Sequence, residues 1–250
     1  MPDEIAVKAV SAGIKKANLS IFRMLLLGMF AGAFIGLAGV GATFGNVYVG
    51  KLAGALIFPA GLAMVVVAGS ELFTGNCLMV TALLSREIGP ARLLKNWFFV
   101  FLGNFIGAGL VALITVASGV LDPIADSVIA TASAKVSMGF PVALLRGVLC
   151  NFLVCIAVWM AFGAKTVGGK IAAVFFPIML FVLCGFEHSV ANMYYIPAGL
   201  YMNWFNGTLT AGLSVQSFLV ENLLPVTIGN IIGGAVLVGG GYYLAYLRKR

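Results

Sequence analysis

Apolar positions dominate this chain in long runs, and polar positions gather in short interruptions and in the segments between the runs. Six stretches, about 21–47, 55–84, 96–118, 140–163, 171–200 and 219–247, are continuously apolar and rich in Gly, Ala, Leu and Val. Each is long enough for an α-helix to cross a bilayer, which takes roughly 20 residues. A β-barrel would instead show short segments of strict alternation. The pattern predicts an all-α integral membrane protein with six transmembrane helices in one domain spanning 1–250.

The first twenty residues carry Asp3, Glu4, Lys8, Lys15 and Lys16 without a compact apolar core, so they do not read as a cleaved signal peptide. Val10, Ile14, Ala17 and Ile21 recur at helical spacing, which leaves 1–20 either a short amphipathic helix on the membrane surface or a partly ordered tail.

Composition agrees with the pattern. Hydrophobic residues make up 62% of the chain and charged ones 9%, with a mean hydropathy of +1.09. The net charge of +7 is a topology signal and no sign of a nucleic-acid partner. Its basic residues cluster before the first span (Lys8, Lys15, Lys16, Arg23), in the second-to-third loop (Arg86, Arg92, Lys95), in the fourth-to-fifth loop (Lys165, Lys170) and at the C-terminus (Arg248, Lys249, Arg250). The alternate loops hold Lys51 and Lys135, and Arg146 falls in the fourth span. The positive-inside rule then places both termini in the cytoplasm, in an inner (plasma) membrane. Cys77, Cys150, Cys155 and Cys184 lie in apolar segments without CxxC spacing, so neither a metal site nor a disulfide framework is expected.

The chain also repeats itself. "NWFFVFLGNFIGAGLV" (96–111) aligns with "NLLPVTIGNIIGGAVL" (222–237) at an offset of 126, and "GSELFTGN" (69–76) with "GFEHSVAN" (185–192) at an offset of 116. Arg23 and Arg146, at an offset of 123, extend the match to the first spans. These matches predict two copies of three helices, 21–118 and 140–247, joined by an outer connection over 119–139. Three being odd, the second copy enters from the opposite face, an inverted repeat typical of transporters and channels. Small-residue seams, Gly28-x3-Gly32-x3-Gly36, Gly103-x3-Gly107 and Gly229-x3-Gly233, suit close helix contact.

The second and fifth spans, at about 30 residues, exceed a single crossing, and both polar octets fall near their middles. Each is expected to be a half-helix, an irregular loop and a second half-helix beginning near Gly75 or Ser189. Non-helical backbone at that depth is tolerated only where it is buried in protein or lines a cavity. Glu71 and Glu187 are equivalent, as are Asn76 and Asn192, which suggests a shared loop-structuring job. His188, the chain's single histidine, faces Leu72 in the alignment and is the asymmetric group, the better candidate for chemistry.

At these residues the chain resembles the formate/nitrite transporter family. The segments that carry the resemblance are "SELFTGN", "NWFFVFLGN", "RGVLCNFLVCIAVWMAFGAKT", "GFEHSVANMYYIPAG" and "NLLPVTIGNIIGG", spread from about residue 20 to 247. The resemblance implies an aquaporin-like arrangement with interrupted second and fifth helices, and a homopentamer with a pore in each subunit for formate, nitrite or hydrosulfide. It implies a pore centre at His188 and Thr74 with polar groups Asn151 and Asn230. The constrictions would be Phe58, Leu62 and Leu72 on one side and Phe181 and Val154 on the other, with a vestibule lysine at Lys135. Read without the family, the apolar five would pass for helix packing, and Asn104, Asn151 and Asn230 for interhelical hydrogen bonding.

That constellation permits a mechanism. Lys135 concentrates anions at the outer mouth, apolar rings strip their water, and His188 donates a hydrogen bond or a proton, since its unperturbed pKa of about 6.5 lies near neutrality. Proton-coupled transport and simple channel behaviour both remain open, and no cofactor is implied. An aquaporin-like channel for small neutral solutes is the alternative, but it has little need of a histidine between apolar rings. An intramembrane enzyme using Glu187-His188-Ser189 would need adjacent residues to converge on one atom, and neither a nucleophile elbow nor HExxH is present. No P-loop for an ATP-driven pump is present either, and a membrane scaffold would leave both midplane loops unexplained.

Overall fold

The structure, a computed structural model, describes residues 1–248; Lys249 and Arg250 of the basic C-terminus lie outside the described residues. Ten helices follow in order: α1 (Pro2–Ala17), α2 (Ile21–Tyr48), α3 (Lys51–Ala68), α4 (Phe73–Leu84), α5 (Pro90–Ala117), α6 (Ala125–Val136), α7 (Phe140–Gly163), α8 (Val167–Cys184), α9 (Ser189–Phe205) and α10 (Ser217–Leu247). Of these, α2, α3, α5, α7, α8 and α10 are long and apolar enough to span a membrane, so this is a multi-pass membrane protein.

The second and fifth hydrophobic stretches are indeed interrupted. A loop over 69–72 separates α3 from α4, and one over 185–188 separates α8 from α9. The first half-helix of each pair stops on a glycine in the left-handed region, Gly69 (φ 81°) and Gly185 (φ 71°). The next N–H reaches back five residues, Ser70 to the Val65 carbonyl and Phe186 to the Phe181 carbonyl, a closure that a Cβ at the glycine would strain. The second half-helix of the first pair starts at Phe73, two residues before the expected Gly75. The displacement has a cause: a side chain from α5 satisfies the Phe73 N–H, so no residue of the loop itself has to cap it.

Residues 1–20 resolve to the helical alternative. The small face of α1 (Ala6, Ala9, Gly13, Ala17) packs against α4 and α7, where Gly13 leaves no room for a side chain beside Ala82. Similarly, the connection between the two halves contains α6, with Lys135 in its last turn.

Spans meet at the glycine seams. A Cβ on Gly32 would run into the Asn104 carbonyl and one on Gly107 into the Met29 carbonyl, while Gly229 and Gly233 lie as close to the carbonyls of Leu144 and Val148. In a bilayer, where lipid is as apolar as leucine, such backbone approach and the hydrogen bonds it permits replace the hydrophobic effect as the cause of association. In α10, i→i+5 winding over Ser217–Leu223 and Ile232–Gly240 brackets a regular α-helical stretch, Leu224–Ile231, that holds Asn230.

Candidate functional site

Each loop carries backbone groups into the protein interior, where an unpaired buried one costs about 1–3 kcal/mol. Two asparagines answer this need. Asn104 of α5 accepts from the Phe73 N–H (2.9 Å) and donates to the carbonyls of Glu71 (2.9 Å) and Gly28 (2.8 Å). Asn230 of α10 accepts from the Ser189 N–H (2.9 Å) and donates to the carbonyls of Glu187 (3.0 Å) and Gly147 (2.8 Å). The bonds to Gly28 and Gly147 exist because the glycine seams bring those backbones within reach of the amides. The N–H groups of Glu71 and Glu187 donate to the carbonyls of Leu27 and Arg146.

The loop carboxylates are held with the same symmetry. Glu71 accepts from Asn76 (2.7 Å) and pairs with Lys16 (2.7 Å); Asn76 also donates to Asn96, which donates to the Lys16 carbonyl. Glu187 accepts from Asn192 (2.7 Å) and pairs with Lys135 (2.8 and 3.1 Å); Asn192 also donates to Asn222, which donates to the Lys135 carbonyl. Through these bonds Leu27 corresponds to Arg146, Gly28 to Gly147 and Lys16 to Lys135, all at an offset of 119. The expected Arg23–Arg146 equivalence at 123 is therefore corrected, because the bonded carbonyls fix a different register. The repeated unit reaches back to include α1 and α6.

Three cavities follow one another along α2, α3, α7 and α8. The first, about 210 Å³, is lined by Lys16, Glu71, Ser70, Leu62, Leu72 and Lys170 among others. The second is a chamber of about 10 Å³ walled by Ile35, Phe58, Leu62, Leu72, Val154, Ile178, Phe181 and His188. The third, about 140 Å³, contains Lys135, Glu187, Thr43, Thr131, Tyr195, Phe58, Phe181 and His188. Leu62 and Leu72 divide the first cavity from the chamber, and Phe58, Phe181 and His188 divide the chamber from the third. Passing from the first cavity to the third, α2 and α8 run forward while α3 and α7 run backward, so equivalent helices of the two halves run in opposite senses.

Several sequence expectations are displaced by this geometry. Phe58 stands with Phe181, ring centroids 5.7 Å apart and edge to face, and not with Leu62 and Leu72. Val154 lines the chamber alone, opposite no second cavity. Asn230 and Asn151 line none of the three cavities: the Asn230 amide is spent on the loop backbone, and Asn151 donates to the carbonyls of Thr74 (3.2 Å) and Asn230 (2.7 Å). Thr74 is fully buried just behind the chamber wall. Ile35, Ile178, Lys16 and Lys170 line the cavities without having been singled out. Ile35 lies 119 residues before Val154 and Ile178 lies 116 after Leu62, so the corrected repeat register carries the signal that would have found them.

His188 caps α9, its Nδ1 accepting the Ala191 N–H at 3.0 Å. An accepting Nδ1 leaves the neutral ring's proton on Nε2, which donates to Thr74 Oγ1 at 2.9 Å. The Thr74 hydroxyl proton is thereby left to find another acceptor. Phe181 stacks on the imidazole at 5.9 Å between centroids, which places the ring against the constriction. The arrangement leaves the His188 imidazole as the one polar side chain in the wall of an otherwise apolar chamber, with the Thr74 hydroxyl bonded to it from behind.

A family model described as formate/nitrite transporter matches residues 3–244 of the chain. The uncharacterized transporter YrhG of Bacillus subtilis (strain 168) is 42% identical, covering 99% of this chain and 94% of that protein. The formate channel FocA of Escherichia coli (strain K12) is 38% identical, covering 100% and 95% respectively. Among solved structures, a pentameric formate channel with formate bound superposes with a TM-score of 0.81 at 33% identity, covering 91% of this chain and 98% of that one.

Proposed function

The chain belongs to the formate/nitrite transporter family, and from that premise we propose that it passes small monovalent anions of weak acids, formate, nitrite or hydrosulfide, through a pore of its own in each subunit of a homopentamer. The observation that carries this reading is the line of three cavities, polar, apolar and polar, with His188 in the wall of the apolar one and hydrogen-bonded to Thr74. The matched pentameric channel supports the assembly and the cargo. The basic loops support an inner (plasma) membrane location with both termini cytoplasmic, which makes the Lys16 cavity the inner vestibule and the Lys135 cavity the outer one.

Bare charge at the bilayer centre costs at least ~2.5 kcal/mol, so an anion stripped at Leu62 and Leu72 needs donors on the far side of that step. Thr74 and His188 supply them. Proton bookkeeping favours hydrogen bonding over relay by the ring. A neutral imidazole that surrendered its Nε2 proton would become an imidazolate. Protonating Nδ1 beforehand would break the bond to the Ala191 N–H. Any proton that neutralises the cargo therefore comes from water in a vestibule, and His188 with Thr74 stabilises the anion while it is exchanged. The same contacts speak against an enzyme: Glu187 is bound to Lys135 and Asn192, and His188 to Thr74, so the three adjacent residues do not converge. No cofactor is needed for this task.

The test is tracer flux in proteoliposomes, comparing formate, nitrite, hydrosulfide, chloride and glycerol at two pH values, with His188→Asn alongside. Passage of the weak-acid anions with chloride and glycerol excluded is expected, and their relative rates choose the substrate. Glycerol passing without the anions would move the protein to the neutral-solute class. His188→Asn, which can donate but cannot take up a proton, is expected to keep formate flux with its accompanying acidification; loss of acidification alone would restore the relay.

A further inference from the structure

The two vestibules look alike until their charges are assigned. In each, a lysine is already matched by a glutamate: Lys16 lies 2.7 Å from Glu71, and Lys135 lies 2.8 Å from Glu187 and over the Tyr195 ring at 5.3 Å. Neither pair leaves net charge to attract an anion. Among the described residues lining the Lys135 vestibule there is no further charged side chain. The Lys16 vestibule contains one, Lys170 of α8, which makes no ion pair and no side-chain hydrogen bond among the described residues. The same cavity is lined by Ser70, whose hydroxyl makes no hydrogen bond among the described residues. By the repeat register Lys170 corresponds to Gly54 and Ser70 to Phe186, so the second half supplies no counterpart to either. Lys8 adds a cation at the rim, donating at 3.1 Å to the carbonyl of Phe162, itself part of the lining.

We propose that Lys170, with Ser70, makes the Lys16 vestibule a binding station for small monovalent anions that the Lys135 vestibule lacks, so that the pore saturates at lower anion concentration from the Lys16 side. This rests on the anion-channel reading above. A cleft of one sign with low-dielectric walls raises the local concentration of the opposite charge. For a passive pore, microscopic reversibility fixes how that appears: initial permeability at low concentration is equal in both directions, and the asymmetry lies in half-saturation and maximal rate. The station fills first from its own side, and flux from that side then levels off.

The experiment measures zero-trans uptake of labelled formate against concentration, in vesicles of each orientation, for the wild type, Lys170→Gln and Lys170→Arg. Ionic strength is set with a bulky impermeant sulfonate salt at about 0.01 M, where screening reaches about 30 Å, and at about 1 M, where it reaches about 3 Å. At low salt the wild type is expected to half-saturate about threefold lower from the Lys16 side than from the other, a ratio fitting one charge acting across several ångströms of water. Lys170→Gln is expected to erase that ratio and Lys170→Arg to keep it, and 1 M salt to erase it for all three. An unchanged ratio in Lys170→Gln overturns the proposal. So does a loss of flux in Lys170→Gln that is equal from both sides and at both salts, since that marks a structural role. A wild type that carries no weak-acid anion overturns the channel reading and this station with it, whereas formate flux insensitive to Lys170 overturns the station alone.

Discussion

Thr74 and His188 divide one task between two loops, and a substitution that keeps shape while removing the hydroxyl separates them. Thr74→Val leaves the Nε2–H of His188 without its acceptor and removes the hydroxyl behind the chamber wall. A hydrogen bond of about 1–1.5 kcal/mol lost at the barrier corresponds to formate flux about tenfold below wild type, while Thr74→Ser should stay within about twofold. Single-channel-normalised proteoliposome uptake checks both, and a Val variant at full rate would remove Thr74 from the pathway. Much at this scale could be read from the chain. The octet alignment alone set Glu71 beside Glu187 and Asn76 beside Asn192, and it isolated His188 against Leu72. Asn230 stayed between two readings, pore group and interhelical hydrogen bonding, because an asparagine inside an apolar span looks the same whether its amide faces a pore or ties down a loop. Only the positions of the Ser189 N–H and the Glu187 carbonyl decide which.

At the scale of elements, the seams between spans are what put the asparagines in range. Gly107→Ala and Gly233→Ala would push a methyl into the carbonyls of Met29 and Val148, and forced separation in a packed interior costs about 1–3 kcal/mol. Gly109→Ala, on the same helix as Gly107 but with nothing within 4 Å of the added carbon, should be neutral. Thermal unfolding of the purified protein in detergent distinguishes them, and equal stability of all three variants would show that the seams tolerate slack. The helices themselves were legible from apolar run length, including the two interruptions. Their starts were less so: α5 begins at Pro90, not near Asn96, and α6 went unseen inside the connection. The first turn of α5 is polar because it lies beyond the hydrocarbon, where run length carries no signal. Likewise α6 is short and mixed in character, held by its contacts with α9 and by Lys135 at its end.

Across the whole molecule, a symmetric frame holds asymmetric contents. Bond for bond, Asn104 and Asn230 perform the same service, so Asn104→Leu and Asn230→Leu should destabilise equally. Each strands one loop N–H and one loop carbonyl, at about 1–3 kcal/mol apiece for buried unsatisfied partners. A clear difference in unfolding temperature between the two variants would break the equivalence of the halves. The repeat was visible in the chain from two aligned segments, yet its register over the first spans was not. Arg23 and Arg146 are a coincidence of residue type, and the true partners, Leu27 and Arg146 at an offset of 119, share nothing but a carbonyl.

The central chamber has an electrical meaning. At about 10 Å³ it sits at the lower limit for a single water molecule, and its walls are apolar apart from one imidazole that is already bonded on both sides. Protons travel quickly only along continuous files of water, and in this conformation no file joins the two vestibules. Protons then cross only as passengers of a weak acid, which as a neutral molecule moves acidity from one side to the other without moving charge.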